Sequence, residues 1–159
     1  MALAAELARS LGLEVRATAD LSAVRDSDVI VACSSARQAY LTPALVRPGT
    51  FIAAVGADNH DKQEIDPALF PRATVVVDSL EQCAEIGDLH HALKAGATTR
   101  EQVHASLAEL VAGSKPGRRT AQEITLFDST GMGLQDVASA AAVYHRAVAS
   151  KAGTRFAIN

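Results

Sequence analysis

The segment Val55-Gly56-Ala57-Asp58-Asn59-His60-Asp61-Lys62-Gln63-Glu64 gathers the side chains best suited to chemistry in this 159-residue chain. Gly56 has no Cβ, so a flat ligand can approach its backbone, and Asp58 offers a carboxylate able to accept or donate a proton. Lys62, four residues after Asp58, is placed to hold an anion or to lower the pKa of that carboxylate. The same spacing also fits a plain turn after a strand, closed by an Asx cap. A second candidate, Asp128-Ser129-Thr130-Gly131-Met132-Gly133, combines hydroxyls, glycine backbone and the start of a helix. A phosphate, carboxylate or amide is able to dock on such a group, and an N-cap with a flexible turn fits it equally. Ser34-Ser35 carries the same two readings.

Other constellations are missing. His60, His90, His91, His104 and His145 form no H-E-x-x-H or Cys/His metal pattern and read as structural or surface residues. Asp58 and His60 alternate, but no nucleophile stands at a fixed spacing to complete a dyad. The G-x-G-x-x-G fingerprint of dinucleotide sites is absent. Gly131-Met132-Gly133 lacks the third glycine and comes last in the strand series.

These candidates follow apolar runs that read as strands. Asp28 to Cys33, Thr50 to Val55, Thr74 to Val77 and Ile124 to Phe127 are near-continuous and β-branched, as strands buried on both faces are. Each delivers polar or small residues at its C-terminal end, the edge at which open parallel sheets bind ligands. Leu13 to Ala17 reads as a further short strand. Met1 to Leu11, with Leu3, Leu7 and Leu11 on one stripe, is a helix stopped at Gly12. No cap precedes this helix, and the expectation is of a chain that starts in mid-helix. Leu21 to Val24 predicts a short helix. Leu80 to Leu93 predicts a helix broken near Gly87, Arg100 to Val111 another, and Leu134 to Val148 a long Ala-rich one. The Lys115-to-Arg119 stretch is a basic turn, and there are no repeats or low-complexity tracts.

With 15 Lys+Arg against 18 Asp+Glu, the net charge is −3, which implies no strong attraction to nucleic acid or an anionic membrane. At 48% hydrophobic and 21% charged residues, the composition is that of an ordinary globular domain. No apolar run reaches the roughly 18 residues of a membrane span, and Glu6 interrupts any signal-peptide reading, which leaves the cytoplasm as the expected location. Cys33 and Cys83 form no C-x-x-C pair and are expected to be buried reduced thiols.

Several motifs occur in one order: Asp28 to Ser35, Leu41-Thr42-Pro43, Val46-Arg47-Pro48-Gly49, Val55 to Asp58 with Lys62 and Glu64, Val77-Asp78-Ser79, and Glu123 to Gly131. With them, the stretch from Asp20 to Ala149 resembles the C-terminal half of the ornithine cyclodeaminase/mu-crystallin family. The resemblance implies an α/β fold: an incomplete Rossmann-type doubly wound sheet lacking its first strands, plus a C-terminal helix returning towards a dimerisation and substrate domain. Residues 1–131 would be the partial NAD(P)-binding domain and 132–159 the helical segment of the second domain. Met1 to Leu11 would be the helix after the second Rossmann strand.

The same resemblance implies NAD or NADP as cofactor and a small amino acid or cyclic imine as substrate, in a homodimer when full-length. Family activities are conversion of ornithine to proline with ammonia loss, reduction of ketimines such as pyrroline-2-carboxylate, and alanine dehydrogenation; mu-crystallin-like members bind ligand. Ornithine or cyclic-imine chemistry is favoured over alanine, and a truncated or purely ligand-binding product is the alternative to an enzyme. Asp58 matches the catalytic carboxylate. Val55, Gly56 and Ala57 match backbone along the nicotinamide, Lys62 and Ser129 cofactor contacts, and Thr130 a substrate contact. Ala32 falls where the cyclodeaminase has a cofactor-contacting threonine, and His60-Asp61 replaces a common Pro-Gly. The family's glycine turn, ribose-reading residue and substrate-carboxylate Arg and Lys have no counterpart here, so these residues are expected to hold half an active site and to be inactive alone. The strand at Asp28 would then have a bare edge, closed by the Leu13 strand or by self-association.

Overall fold

A computed structural model describes residues 2–154 and residue 156. Five strands form one fully parallel sheet: β1 (Val29–Ala32), β2 (Phe51–Ala54), β3 (Ala73–Val77), β4 (Ala105–Ser106) and β5 (Ile124–Asp128), in the order β1-β2-β5-β3-β4. Pairing is in step at the C-terminal ends, with Ala32 opposite Ala54, Ala54 opposite Asp128 and Asp128 opposite Val77. The ladder continues into the loops through Val55 N–H to Ala32 O at 2.9 Å, Ser129 N–H to Ala54 O at 3.0 Å and Asp78 N–H to Asp128 O at 3.2 Å. Four loops therefore leave the sheet side by side.

The core lies on one face. Ile30, Ala32, Ile52, Ala54, Val75, Val77 and Leu126 point into it from the sheet. Leu41, Ile65, Leu69, Phe70, Cys83 and Leu89 close it from helices and loops. Two short helices, α2 (Leu80–Ile86) and α3 (Asp88–Lys94), meet at Gly87. A Cβ there would stand 2.8 Å from Asp128 Oδ2 and 3.0 Å from Cys83 Cα, so the break expected near Gly87 is also a point of close approach. The remaining helices are α1 (Ala2–Leu11), α4 (Leu107–Val111) and α5 (Gly133–Ser150). Neither α1 nor α5 buries a residue, and Leu3, Leu7, Leu134, Val137 and Tyr144 are exposed.

Four expectations need correction. The strands are not all buried on both faces: β3 is, through Val75, Val76 and Val77, but the edge strand β1 alternates, with Val29 and Val31 59% and 64% exposed, because α2, α3 and the 3₁₀ turn Pro67–Arg72 all pack on the other side. On the open face, Phe51, Val76, Phe127, Leu107 and Leu110 line an apolar groove of about 390 Å³. Leu13 to Ala17 forms no strand: its alternation is right, but it joins no ladder, and among the described residues the outer edge of β1 is unpaired. Arg100 to Val111 is not one helix. A 3₁₀ turn at Arg100–Gln102 gives way to β4 and then to α4, because β3 captures the backbone through His104 N–H to Val75 O at 2.9 Å. Ser106 caps α4, its hydroxyl accepting from Glu109 N–H while Glu109 accepts from Ser106 N–H. Cys33 is exposed, standing just past the end of the edge strand, whereas Cys83 is buried as expected.

Candidate active site

The loops after β1, β2, β5 and β3 form the candidate site at the C-terminal edge. Beyond β2 the chain passes through half-exposed Val55 and buried Gly56 and Ala57 to Asp58, whose side chain is 55% exposed. The Lys62 Nζ meets Asp58 Oδ1 at 2.8 Å, and Asn59 Nδ2 donates to the same oxygen at 3.1 Å. The hydrogen bond from Lys62 and then its charge hold the Asp58 carboxyl below the usual carboxylate range. The four-residue spacing read from the sequence thus brings the two side chains together. His60 turns instead towards Asp61, at 3.9 Å.

Four buried carboxyl groups underlie the edge, each holding backbone donors. Glu64 accepts from Ser34 N–H at 2.6 Å, Ser34 Oγ at 2.7 Å and Tyr40 OH at 3.0 Å through Oε1, and from Gly56 N–H at 2.9 Å through Oε2. Asp88 Oδ1 accepts from Glu64 and Ile65 N–H at 2.8 and 2.9 Å. Asp128 Oδ2 accepts from Leu89 N–H at 2.8 Å. Asp78 Oδ2 accepts from Ser129 Oγ at 2.7 Å and from Thr130 and Gly131 N–H at 3.0 and 2.9 Å, while its Oδ1 accepts from Ser79 N–H and Cys83 Sγ.

Burial dominates the electrostatics beneath the edge. It pushes Asp88 up to about 6 and Asp128 up to about 8, the charge of Asp88 adding to the latter. Asp88 Oδ2, Asp128 Oδ1 and Thr130 Oγ1 have no hydrogen-bond partner among the described residues. Burial also drives the Cys83 thiol upwards, with Asp128 and Asp78 reinforcing it.

Two readings of the sequence change at this level. Gly56 is small on behalf of Glu64, since a Cβ there would lie 2.5 Å from Oε2; the direction left open by the missing side chain is filled from within the fold. The backbone donors of residues 130 and 131 do receive a carboxylate, but it is that of Asp78. Ala32 is 2% exposed and its methyl belongs to the core, where its carbonyl accepts from Val55 N–H. Ser129 and Thr130 stand next to the β2 loop through the Ser129–Ala54 bond. The sequence motifs that contain Glu64, Asp78 and Asp128 give these carboxyls no role, Asp88 and Tyr40 carry no local signal, and His91, expected to be structural or at the surface, is part-buried and braces the Lys62 backbone. His91 Nε2 donates to Lys62 O at 2.9 Å.

Comparison with known proteins agrees with this architecture. The chain is 42% identical over 151 residues to iminosuccinate reductase of Paracoccus denitrificans, covering 92% of this chain and 47% of that protein. It is 41% identical over 128 residues to alanine dehydrogenase of Archaeoglobus fulgidus, covering 80% of this chain and 40% of that protein. Among solved structures, Thermococcus litoralis Delta(1)-pyrroline-2-carboxylate reductase, in complex with NADH and L-proline, superposes with a TM-score of 0.90 at 32% identity. That match covers 98% of this chain and 49% of the other. The chain thus spans about half the length, or somewhat less, of the relatives it matches. The profile of the ornithine cyclodeaminase/mu-crystallin family matches residues 1–151, and the chain belongs to that family.

Proposed function

We propose that these residues form the C-terminal sheet edge of an NAD- or NADP-dependent oxidoreductase acting at the carbon–nitrogen bond of a small amino acid or imine. The observation that carries this reading is the Asp58–Lys62 pair, 2.8 Å apart on an accessible ledge beside the Ser129–Thr130 loop. Relatives named for amino-acid and imine substrates, one solved with NADH, support it. The edge suits the ring-bearing end of such a cofactor. Val55 offers half-exposed apolar surface, Lys62 a cation, and Ser129 a hydroxyl oxygen that can still accept while its hydrogen goes to Asp78; the Thr130 hydroxyl is buried and has no partner among the described residues. A bound nicotinamide supplies hydride transfer. The chain's own contribution is proton management: Asp58, kept ionised by Lys62, takes a proton from the substrate nitrogen or from water, and its charge favours a cationic iminium nearby.

In this reading residues 1–131 belong to the cofactor-binding domain. The uncovered apolar face of α5 belongs with a second, dimerising domain, in a cytoplasmic enzyme. No described helix is long and apolar enough to cross a membrane. The test is Asp58→Asn in a longer form containing this chain. Turnover should fall by about 10²- to 10⁴-fold, with cofactor affinity within a factor of about two. Unchanged turnover would remove Asp58 from the chemistry. For the 159 residues alone, NADH fluorescence titration should show no saturable micromolar binding, because the sequence holds no G-x-G-x-x-G turn. Saturation would overturn the half-site reading.

A further inference from the structure

We propose that Glu64 is the positioning residue of this site: its buried carboxylate fixes the ends of β1 and β2 relative to each other and so sets where Asp58 meets Lys62. The inference rests on Asp58 being the reacting carboxylate. Glu64 is fully buried, and its partners approach as donors from two separate strand ends, Ser34 and Tyr40 on the β1 side and Gly56 on the β2 side. Gly56 lies two residues before Asp58, and Glu64 lies two residues after Lys62. The Gly56–Glu64 bond therefore closes the base of the loop whose tip carries the ion pair.

That base is itself anchored. Asp88 Oδ1 accepts from the backbone of Glu64 and Ile65, and His91 Nε2 donates to Lys62 O, so α3 holds the returning arm of the loop at three points. The leaving arm has Gly56 and the Val55–Ala32 ladder bond. A carboxylate taken out of water is costly unless donors surround it, and a mere filler at this position would be apolar. Gly56 supplies the second sign of a purpose-built contact, since any larger residue there would collide with the carboxylate.

Glu64→Gln is the sharp variant, because it preserves shape and removes one acceptor. Whichever way the amide turns, its NH₂ faces either Gly56 N–H or Ser34 N–H, donor against donor. The amide hydrogen of Gly56 or Ser34 should exchange about ten- to a hundredfold faster. The Asp58 carboxyl, followed by carbon NMR, should titrate closer to the ordinary Asp value as Lys62 is held less well. Ser34→Ala is the control. It deletes one hydroxyl bond to Glu64 but leaves the Gly56 bond, so it should lower stability without moving the Asp58 titration.

An unmoved Asp58 titration in folded Glu64→Gln, or an equal movement in Ser34→Ala, overturns the proposal. If the titration moves but turnover of a longer form does not, Glu64 does position Asp58 and it is the catalytic reading of Asp58 that fails. Should Glu64→Gln not fold, Glu64→Asp decides: its shorter side chain cannot reach both Ser34 and Gly56, and an Asp58 titration left unmoved in that folded variant would overturn the proposal.

Discussion

Replacing Asp128 by Asn should stabilise the chain at neutral pH, with a gain that shrinks in acid. Asp128 ends β5 with no accessible surface; Oδ2 accepts from Leu89 N–H, and Oδ1 has no partner among the described residues. Burial, and then the charge of Asp88, hold its pKa up to about 8 against an ordinary value of 3.8. Between those two values the folded chain keeps a proton that the unfolded chain has released. The stability linked to this group is complete below about pH 4, falls as pH rises, and levels above about pH 8. At about 1.36 kcal/mol per pKa unit, the loss by pH 7 is on the order of 4 kcal/mol. Asp88, pushed up to about 6, acts in the same direction over a narrower window. The two carboxyls titrate as a coupled pair, so their losses do not simply add.

Asn keeps a carbonyl oxygen for Leu89 N–H and carries no charge, so the substitution removes the pH slope while leaving that bond. Urea unfolding followed by circular dichroism at pH 4.5, 6 and 7.5 measures the difference between variant and parent. It should be small at pH 4.5 and grow by roughly 2–4 kcal/mol at pH 7.5. A constant offset, arising from the new NH₂ group, is compatible with the argument. A difference that fails to grow with pH refutes it, because Asp128 would then be ionised in the folded chain throughout.

Three further outcomes follow from packing and exposure. Gly87→Ala should cost about 1–3 kcal/mol in the same unfolding assay, since the new Cβ meets Asp128 Oδ2 and the Cys83 backbone at 3.0 Å or less in an otherwise ordinary backbone conformation. An unchanged midpoint would mean that the α2–α3 junction yields. Val31→Lys, on the open face of the edge strand, should alter stability by no more than about 0.5 kcal/mol and weaken any self-association seen by sedimentation. A large loss of stability would show that this face is covered. Iodoacetamide should label exposed Cys33 in the folded chain and spare Cys83, whose thiol is buried and pushed up; mass spectrometry showing equal labelling would contradict the packing.

The parts of the fold legible in the sequence were those set by local pattern. Thr74 to Val77 and Ile124 to Phe127 announce strands by composition, and both lie where expected within β3 and β5. Gly87 announces its break, and α5 follows from the spacing of Leu134, Val137 and Tyr144. What depends on a distant partner was not legible. β4 is two residues long and exists only because Val75 and its neighbours offer a ladder, so helical spacing across Arg100 to Val111 predicted the wrong element. The Ser106-to-Glu109 capping box was the one local sign of where α4 begins. Leu13 to Ala17 errs in the opposite sense: it has a strand's alternation but joins no ladder.

The same division runs through the site. Asp58 and Lys62 meet because four residues of turn bring them together, which sequence spacing can express. Glu64, Asp78, Asp88 and Asp128 lie in or beside polar segments where carboxylates are ordinarily solvated, and their burial depends on donors drawn from far along the chain: Ser34 for Glu64, residues 129–131 for Asp78. This changes what the edge can offer a ligand. A strand-end loop followed by a helix is usually valued for free N–H groups that welcome an anion. Here Thr130 and Gly131 N–H already face Asp78, Gly56 N–H faces Glu64, and Leu89 N–H faces Asp128. A phosphate seated on these donors would have to displace a buried carboxyl group and leave it unpaired, which is far costlier than binding elsewhere. What the edge presents outward is instead side-chain chemistry, the Asp58–Lys62 pair; the Thr130 hydroxyl, without a partner among the described residues, is buried. The pair is suited to a proton and a small nitrogen-bearing substrate.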